Sequence, residues 1–135
     1  MKHEVKSVDQ LESLAGAFFK AHPKPSVVAI YGVMGAGKTT FVRALCKHLG
    51  VTTEPASPTY SLVNEYPIAG GGRAFHFDLY RMKSAAEVRD IGFSEYIYSG
   101  SWCFIEWPDI AAELLPEGFI ALRISLNGEE RVFEF

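Results

Sequence analysis

Gly32, Gly35, Gly37, Lys38 and Thr39 stand together in "GVMGAGKT", whose spacing matches GxxxxGK[ST]. A loop of this kind is suited to holding phosphate. Glycines let successive backbone N–H groups turn inward toward one anion, in conformations that a side chain would obstruct. A helix leaving the loop adds its positive dipole end. In this pattern Lys38 is expected to reach the β- and γ-phosphates as a point charge, and the Thr39 hydroxyl to ligate magnesium. Gly32, Gly35, Ala36, Gly37, Lys38, Thr39 and Thr40 make up the expected nucleotide-binding set.

Magnesium requires hard oxygen ligands, and an acid at the carboxyl end of a buried strand commonly supplies one. Two acids qualify, Asp78 at the end of "RAFHFD" and Glu106 at the end of "SWCFIE". Thr59 sits in "ASPTYS", between the loop helix and the next strand, where small GTPases carry a mobile switch. A threonine there could sense the γ-phosphate through magnesium or water. His76 alternates with Phe75 and Phe77, which reads as a satisfied strand histidine rather than a base. Arg81 follows the Asp78 strand, and either a phosphate contact or a surface ion pair suits it.

These residues need elements to position them. "SVVAIYG" is a short, continuous apolar run with β-branched residues, as in a buried strand, and it ends where the glycines begin. From Lys38 to Leu49 an apolar stripe of Phe41, Val42, Leu45 and Leu49 predicts an amphipathic helix, with Gly50 as its C-cap. Upstream, Val8, Leu11, Leu14, Ala15 and Phe18 recur at helical spacing; Ser7 and Gln10 suit a capping box, and Pro23 and Pro25 end the helix. "TYSLVNEY" and "AFHFD" read as strands joined by a turn at Ala69 to Gly72. "SAAEVRDIGFSEYIY" predicts one or two short helices broken near Gly92, and "IAAELL" a brief helix. The chain closes with "FIALRISL", a hairpin turn at Asn127-Gly128, and "EERVFEF". Alternating strands and helices predict an α/β fold over residues 1–135: one P-loop NTPase-like domain with a largely parallel sheet, helices on both faces and antiparallel marginal strands.

Composition narrows the function. With 135 residues there is room for one core, and 48% hydrophobic residues suffice to build it. A net charge of −3 argues against a direct grip on nucleic acid, so any RNA is expected to be held by a partner. Cys46 and Cys103 fall in apolar segments and read as small buried thiols, with no metal or disulfide spacing. "MKHEVKSVDQ" lacks a signal-peptide run and no stretch suits a membrane span, so the expectation is a cytoplasmic protein.

In order, "GVMGAGKTT", "SPTYSLVNEY", "HFDLYR" and "FIEWP" resemble one family, TsaE, the small P-loop ATPase of bacterial tRNA threonylcarbamoyladenosine biosynthesis. The resemblance runs from about Val5 to Phe135. It implies Mg²⁺-dependent ATP hydrolysis in support of the TsaB–TsaD pair, which transfers a threonylcarbamoyl group to the adenosine beside the anticodon of ANN-decoding tRNAs. It implies Lys38 as the phosphate lysine, Thr39 and Glu106 as magnesium ligands, and Asp78 as the Walker-B-like acid needed for hydrolysis. Thr59 falls in the switch-like loop, Trp107 beside the nucleotide or partner surface, and the segment near Asp9 where the family touches adenine. Val33 and Met34 stand where many members have an acid and a leucine. The chain also stops soon after its last hairpin, whereas some members extend further.

Two other readings compete. A small nucleotide kinase needs an acceptor pocket and usually a basic lid, but the arginines are few and scattered and no insertion is long enough for a lid. The other is a non-hydrolysing, ATP-dependent regulatory clamp, which stays open because an arginine finger can come from a partner. A GTPase is disfavoured, since no NKxD sequence is present.

Overall fold

The computed structural model describes residues 2–33, 35–51 and 62–135. Met34 and Thr59 lie outside the described residues, as does the start of "TYSLVNEY". The strands are β1 (Lys2–Val5), β2 (Val27–Tyr31), β3 (Val63–Pro67), β4 (Arg73–Asp78), β5 (Trp102–Glu106), β6 (Ile120–Asn127) and β7 (Glu130–Glu134), and the helices α1 (Leu11–Ala21), α2 (Lys38–Leu49), α3 (Ala85–Asp90) and α4 (Phe93–Ile97). The strands form one seven-stranded sheet ordered β1-β7-β6-β2-β5-β4-β3. Its centre is parallel, β6 with β2, β2 with β5 and β5 with β4. The margins are antiparallel, as the two hairpin signals predict.

Strand periodicity divides the core between the two faces. Val28, Ile30 and Phe104 point to α1 and α2, meeting Phe18, Phe41 and Leu45. Val27, Phe77, Cys103 and Ile105 point the other way, to Val88 of α3 and to Phe93 and Ile97 of α4. Phe104 and Phe77 are fully buried on opposite faces, and each such burial stabilises the fold by about 1.5–3 kcal/mol. Gly92, at φ 82°, separates α3 from α4 where the sequence predicts a break. Cys46 and Cys103 are both buried free thiols, as expected.

Four features differ from the sequence reading. Residues 2–5 form an unpredicted edge strand, paired antiparallel with β7 over Lys2↔Glu134 to Val5↔Arg131. This run is too short and polar to announce a strand; the open edge of β7 makes it one. The helix predicted from Ser7 begins as a 3-10 turn, Val8–Gln10, before α1. There Gln10 Oε1 accepts from the N–H groups of Lys6 and Ser7, at 2.6 and 3.4 Å. The brief helix expected at "IAAELL" is a 3-10 segment starting earlier, at Pro108. In the last hairpin Asn127 pairs with Glu130, so the two-residue loop is Gly128-Glu129, one position beyond the predicted turn.

Candidate functional site

Strand β2 delivers the glycine loop to the amino end of α2, which runs from Lys38 to Leu49 with Gly50 left-handed behind it, as predicted. Two glycines have specific reasons to be there. A Cβ on Gly32 would lie 3.0 Å from the Ile124 carbonyl oxygen and 3.3 Å from the Ala36 Cβ, so the loop could not pass β6 so closely. Gly37, at φ 99°, turns the chain into the helix through left-handed space that a side chain would strain.

Strand order brings the acids to this loop. In the parallel registers Glu106 stands opposite Ile30 on one side and Asp78 on the other. The carboxyl ends of β2, β5 and β4 therefore carry, side by side, the start of the loop and the two acids. Glu106 is almost fully buried, and both its oxygens accept from the Thr39 hydroxyl, at 2.9 and 3.0 Å. Asp78 is half-buried, and its Oδ1 accepts from the Tyr80 N–H at 3.1 Å. Gly35, Gly37, Lys38, Thr39, Thr40, Asp78, Glu106 and Trp107 line one cavity of about 390 Å³, together with Tyr80 and Arg131.

Lys38 is buried, and its ammonium donates to the carbonyl oxygens of Gly32 (2.5 Å) and Val33 (3.2 Å). The Trp107 ring covers it, with Nζ 3.7 Å from the ring centroid. Burial holds the Lys38 pKa below the ordinary lysine value, while Glu106, Asp78 and Asp109 pull it back up. Trp107 adopts φ 56°, ψ 56°, a left-handed conformation costly for a bulky side chain. That turn, immediately after Glu106, folds the ring back over the loop, where Tyr80 packs against it at 5.0 Å between centroids.

Sequence reasoning missed Arg131 and half of what His76 does. Arg131, on β7, donates from Nε to the Ala36 carbonyl at 2.8 Å and from Nη2 to that of Gly35 at 3.3 Å. No local spacing announces a partner 95 positions away. His76 is 1% exposed and its Nε2 lies 2.5 Å from Glu106 Oε2. That half of the ring is satisfied as expected, but Nδ1 is buried without a partner among the described residues. Arg81, left open between phosphate and surface, is exposed and does not line the cavity.

The segment expected to touch adenine divides in two. Lys6, Ser7 and Val8 line a smaller cavity of about 100 Å³ that shares Gly37, Thr40 and Arg131 with the larger cavity beside the loop. Asp9 lines an adjoining groove with Glu12 on one side and Thr40, Arg43 and Lys47 of the loop helix on the other.

A parallel-centred sheet, a glycine loop feeding a helix, and an acid meeting the loop threonine define the class: a P-loop NTPase-like α/β domain. Within that class, residues 5–133 match the family model described as "Threonylcarbamoyl adenosine biosynthesis protein TsaE". The tRNA threonylcarbamoyladenosine biosynthesis protein TsaE of Haemophilus influenzae is 36% identical over 124 residues, covering 91% of this chain and 78% of that one. The protein of the same name from Borreliella burgdorferi is 34% identical over 133 residues, covering 97% and 96%. The crystal structure of Bacillus subtilis YdiB superposes with a TM-score of 0.76 at 27% identity, over 98% of this chain and 82% of that one. The chain belongs to the TsaE family of tRNA threonylcarbamoyladenosine biosynthesis. No helix among the described residues is long and apolar enough to cross a membrane.

Proposed function

We propose that this chain binds ATP with magnesium and hydrolyses it slowly by itself, in support of threonylcarbamoyl transfer to tRNA by a cytoplasmic TsaB–TsaD complex. One observation carries the reading: the Thr39 hydroxyl and the Glu106 carboxylate meet at 2.9 Å in the wall of a cavity that the glycine loop also lines. Both offer hard oxygen, the donor type magnesium prefers. No group of three His, Cys, Asp or Glu residues able to hold a metal occurs among the described residues. That suits an ion which takes its remaining ligands from nucleotide phosphates and water. When bound, magnesium supplies charge neutralisation for the transferring phosphoryl group.

The residues divide the remaining work. Loop N–H groups and the amino end of α2 cradle the phosphates. Lys38 exchanges its Gly32 and Val33 carbonyls for phosphate oxygens, and Asp78 orients water at the reacting end. The cavity beside Lys6, Ser7 and Val8 offers the base a place next to the loop. Lys38 held under Trp107 is consistent with slow turnover until a partner reshapes this edge. Trp107 is assigned to that partner-facing edge; Thr59, outside the described residues, is assigned a part in the partner response on its sequence motif alone, and tRNA is reached through the partner.

The test is multiple-turnover threonylcarbamoyl transfer by the matching TsaB–TsaD pair, with and without this protein, alongside phosphate release. Product that continues past the first cycle only when this protein and ATP are both present is the expected result. Equal product over many cycles in its absence rejects the role. Sustained transfer without phosphate release would instead favour the regulatory clamp.

A further inference from the structure

Strand β4 carries Phe75, His76 and Phe77 in succession, and only His76 turns toward the loop side of the sheet. Its register partner on β5 is Phe104, two residues before Glu106 on the same face, so imidazole and carboxylate are diagonal neighbours. His76 is 1% exposed and Glu106 3% exposed, and Nε2 lies 2.5 Å from Oε2. On the magnesium reading given above, Glu106 ligates as an ionised carboxylate that can only accept, which puts the hydrogen of this contact on Nε2.

The other ring nitrogen decides the meaning of the contact. Nδ1 is buried and has no partner among the described residues. A position serving packing alone would do as well with an apolar side chain of similar volume, without the penalty of an unsatisfied polar atom. What the imidazole adds is the Nε2–H bond to Glu106. That carboxylate also receives the Thr39 hydroxyl on both oxygens, so it is held from the loop side and from the neighbouring strand.

We propose that His76 is a positioning residue of the metal site, orienting the Glu106 carboxylate for a divalent cation bound between it and Thr39. The inference rests on the magnesium reading given above. His76 does not line the phosphate cavity, so it acts through Glu106. Partners of this kind, one step removed from a metal, are worth about 10–100-fold in metal affinity.

The experiment uses Mn²⁺ as the probe, titrated into the protein–ADP complex and followed by electron paramagnetic resonance, with ADP affinity in chelator and thermal melting measured in parallel. His76→Met keeps roughly the volume and removes the donor; His76→Gln keeps an N–H near the position of Nε2. The expected result is about 10–100-fold weaker Mn²⁺ binding in the Met variant, chelator-measured ADP affinity near wild type, and recovery of most of the loss in the Gln variant. Wild-type Mn²⁺ affinity in the Met variant overturns the inference, and so does equal loss in Met and Gln, which would assign the ring to packing. If the Met variant does not fold, His76→Asn, whose shorter amide withdraws the donor, is judged by the same criterion. Glu106→Gln separates the two readings. If it loses Mn²⁺ while His76→Met does not, only the positioning role fails; if it keeps Mn²⁺, the metal site itself fails and this inference with it.

Discussion

Thr39 opens the loop helix and Glu106 closes a strand 67 positions later, yet the hydroxyl of one donates to both oxygens of the other, at 2.9 and 3.0 Å. Asp78, beside Glu106 in the sheet register, takes no part in that bond and accepts from the Tyr80 N–H instead. Two acids at neighbouring strand ends therefore have different partners.

That division predicts different phenotypes. Glu106→Ala should raise the magnesium concentration needed for half-maximal ATP hydrolysis by about tenfold or more, with partial rescue by excess metal. Asp78→Ala should leave ATP binding near wild type and lower turnover by about 100-fold, as for a group that handles water in the transition state. Magnesium titrations of steady-state phosphate release distinguish them. Rescue of Asp78→Ala but not Glu106→Ala would reverse the assignment.

Lys38 predicts an alkaline limit to binding. Burial lowers its pKa from the ordinary 10.5, against the pull of Glu106, Asp78 and Asp109. A phosphate beside Nζ favours the charged form and so raises that pKa on binding. As pH rises through the lowered value of the free protein, the ammonium must regain a proton to bind. Nucleotide affinity should thus begin to fall below pH 10.5, with net proton uptake. Calorimetry in buffers of different ionisation enthalpy reads that uptake directly, and Lys38→Ala should abolish it while weakening ATP by about 10–100-fold.

Arg131 ties the outer hairpin to the loop through the Ala36 and Gly35 carbonyls. Arg131→Ala strips two carbonyls of a charged donor, a loss of about 1–3 kcal/mol. Melting should fall by about 3–8 °C, and ADP affinity should fall with it because the loop loses its brace. Arg131→Lys keeps the charge without the planar fork and should recover only part of either effect. Loss of stability with unchanged ADP affinity would confine Arg131 to the fold.

The thiols should be silent in the native protein. Burial pushes both Cys46 and Cys103 up to about 12, so the reactive thiolate is scarce at pH 8 as well as sheltered. A colourimetric disulfide reagent should label neither at pH 8 until denaturant is added, and then both. Rapid native labelling of either would contradict the packing described for β5 or α2.

Local signals made much of this legible. Lys38 to Leu49 was readable as a helix because its apolar stripe, its preceding glycines and Gly50 all lie within one short window. Asp78 and Glu106 were readable as strand-end acids because apolar runs stop at them. The hairpin turn was misplaced by one residue, since register is set by cross-strand pairing as well as by turn composition.

What the sequence by itself determined is the phosphate-type loop, the elements around it and the candidate acids, each written in neighbouring residues through dihedral preference and periodicity. Only the tertiary structure decided who meets whom. The order β2-β5-β4 put Glu106 between the loop strand and Asp78. The open edge of β7 recruited β1, and β7 also brought Arg131 to the loop. His76 became the neighbour of Glu106, and the Trp107 ring came down over Lys38. The physical reason is that these contacts join residues far apart in the chain. Which of them form depends on how strands assort and how two faces of one sheet fill with side chains, and no short window of sequence contains that information.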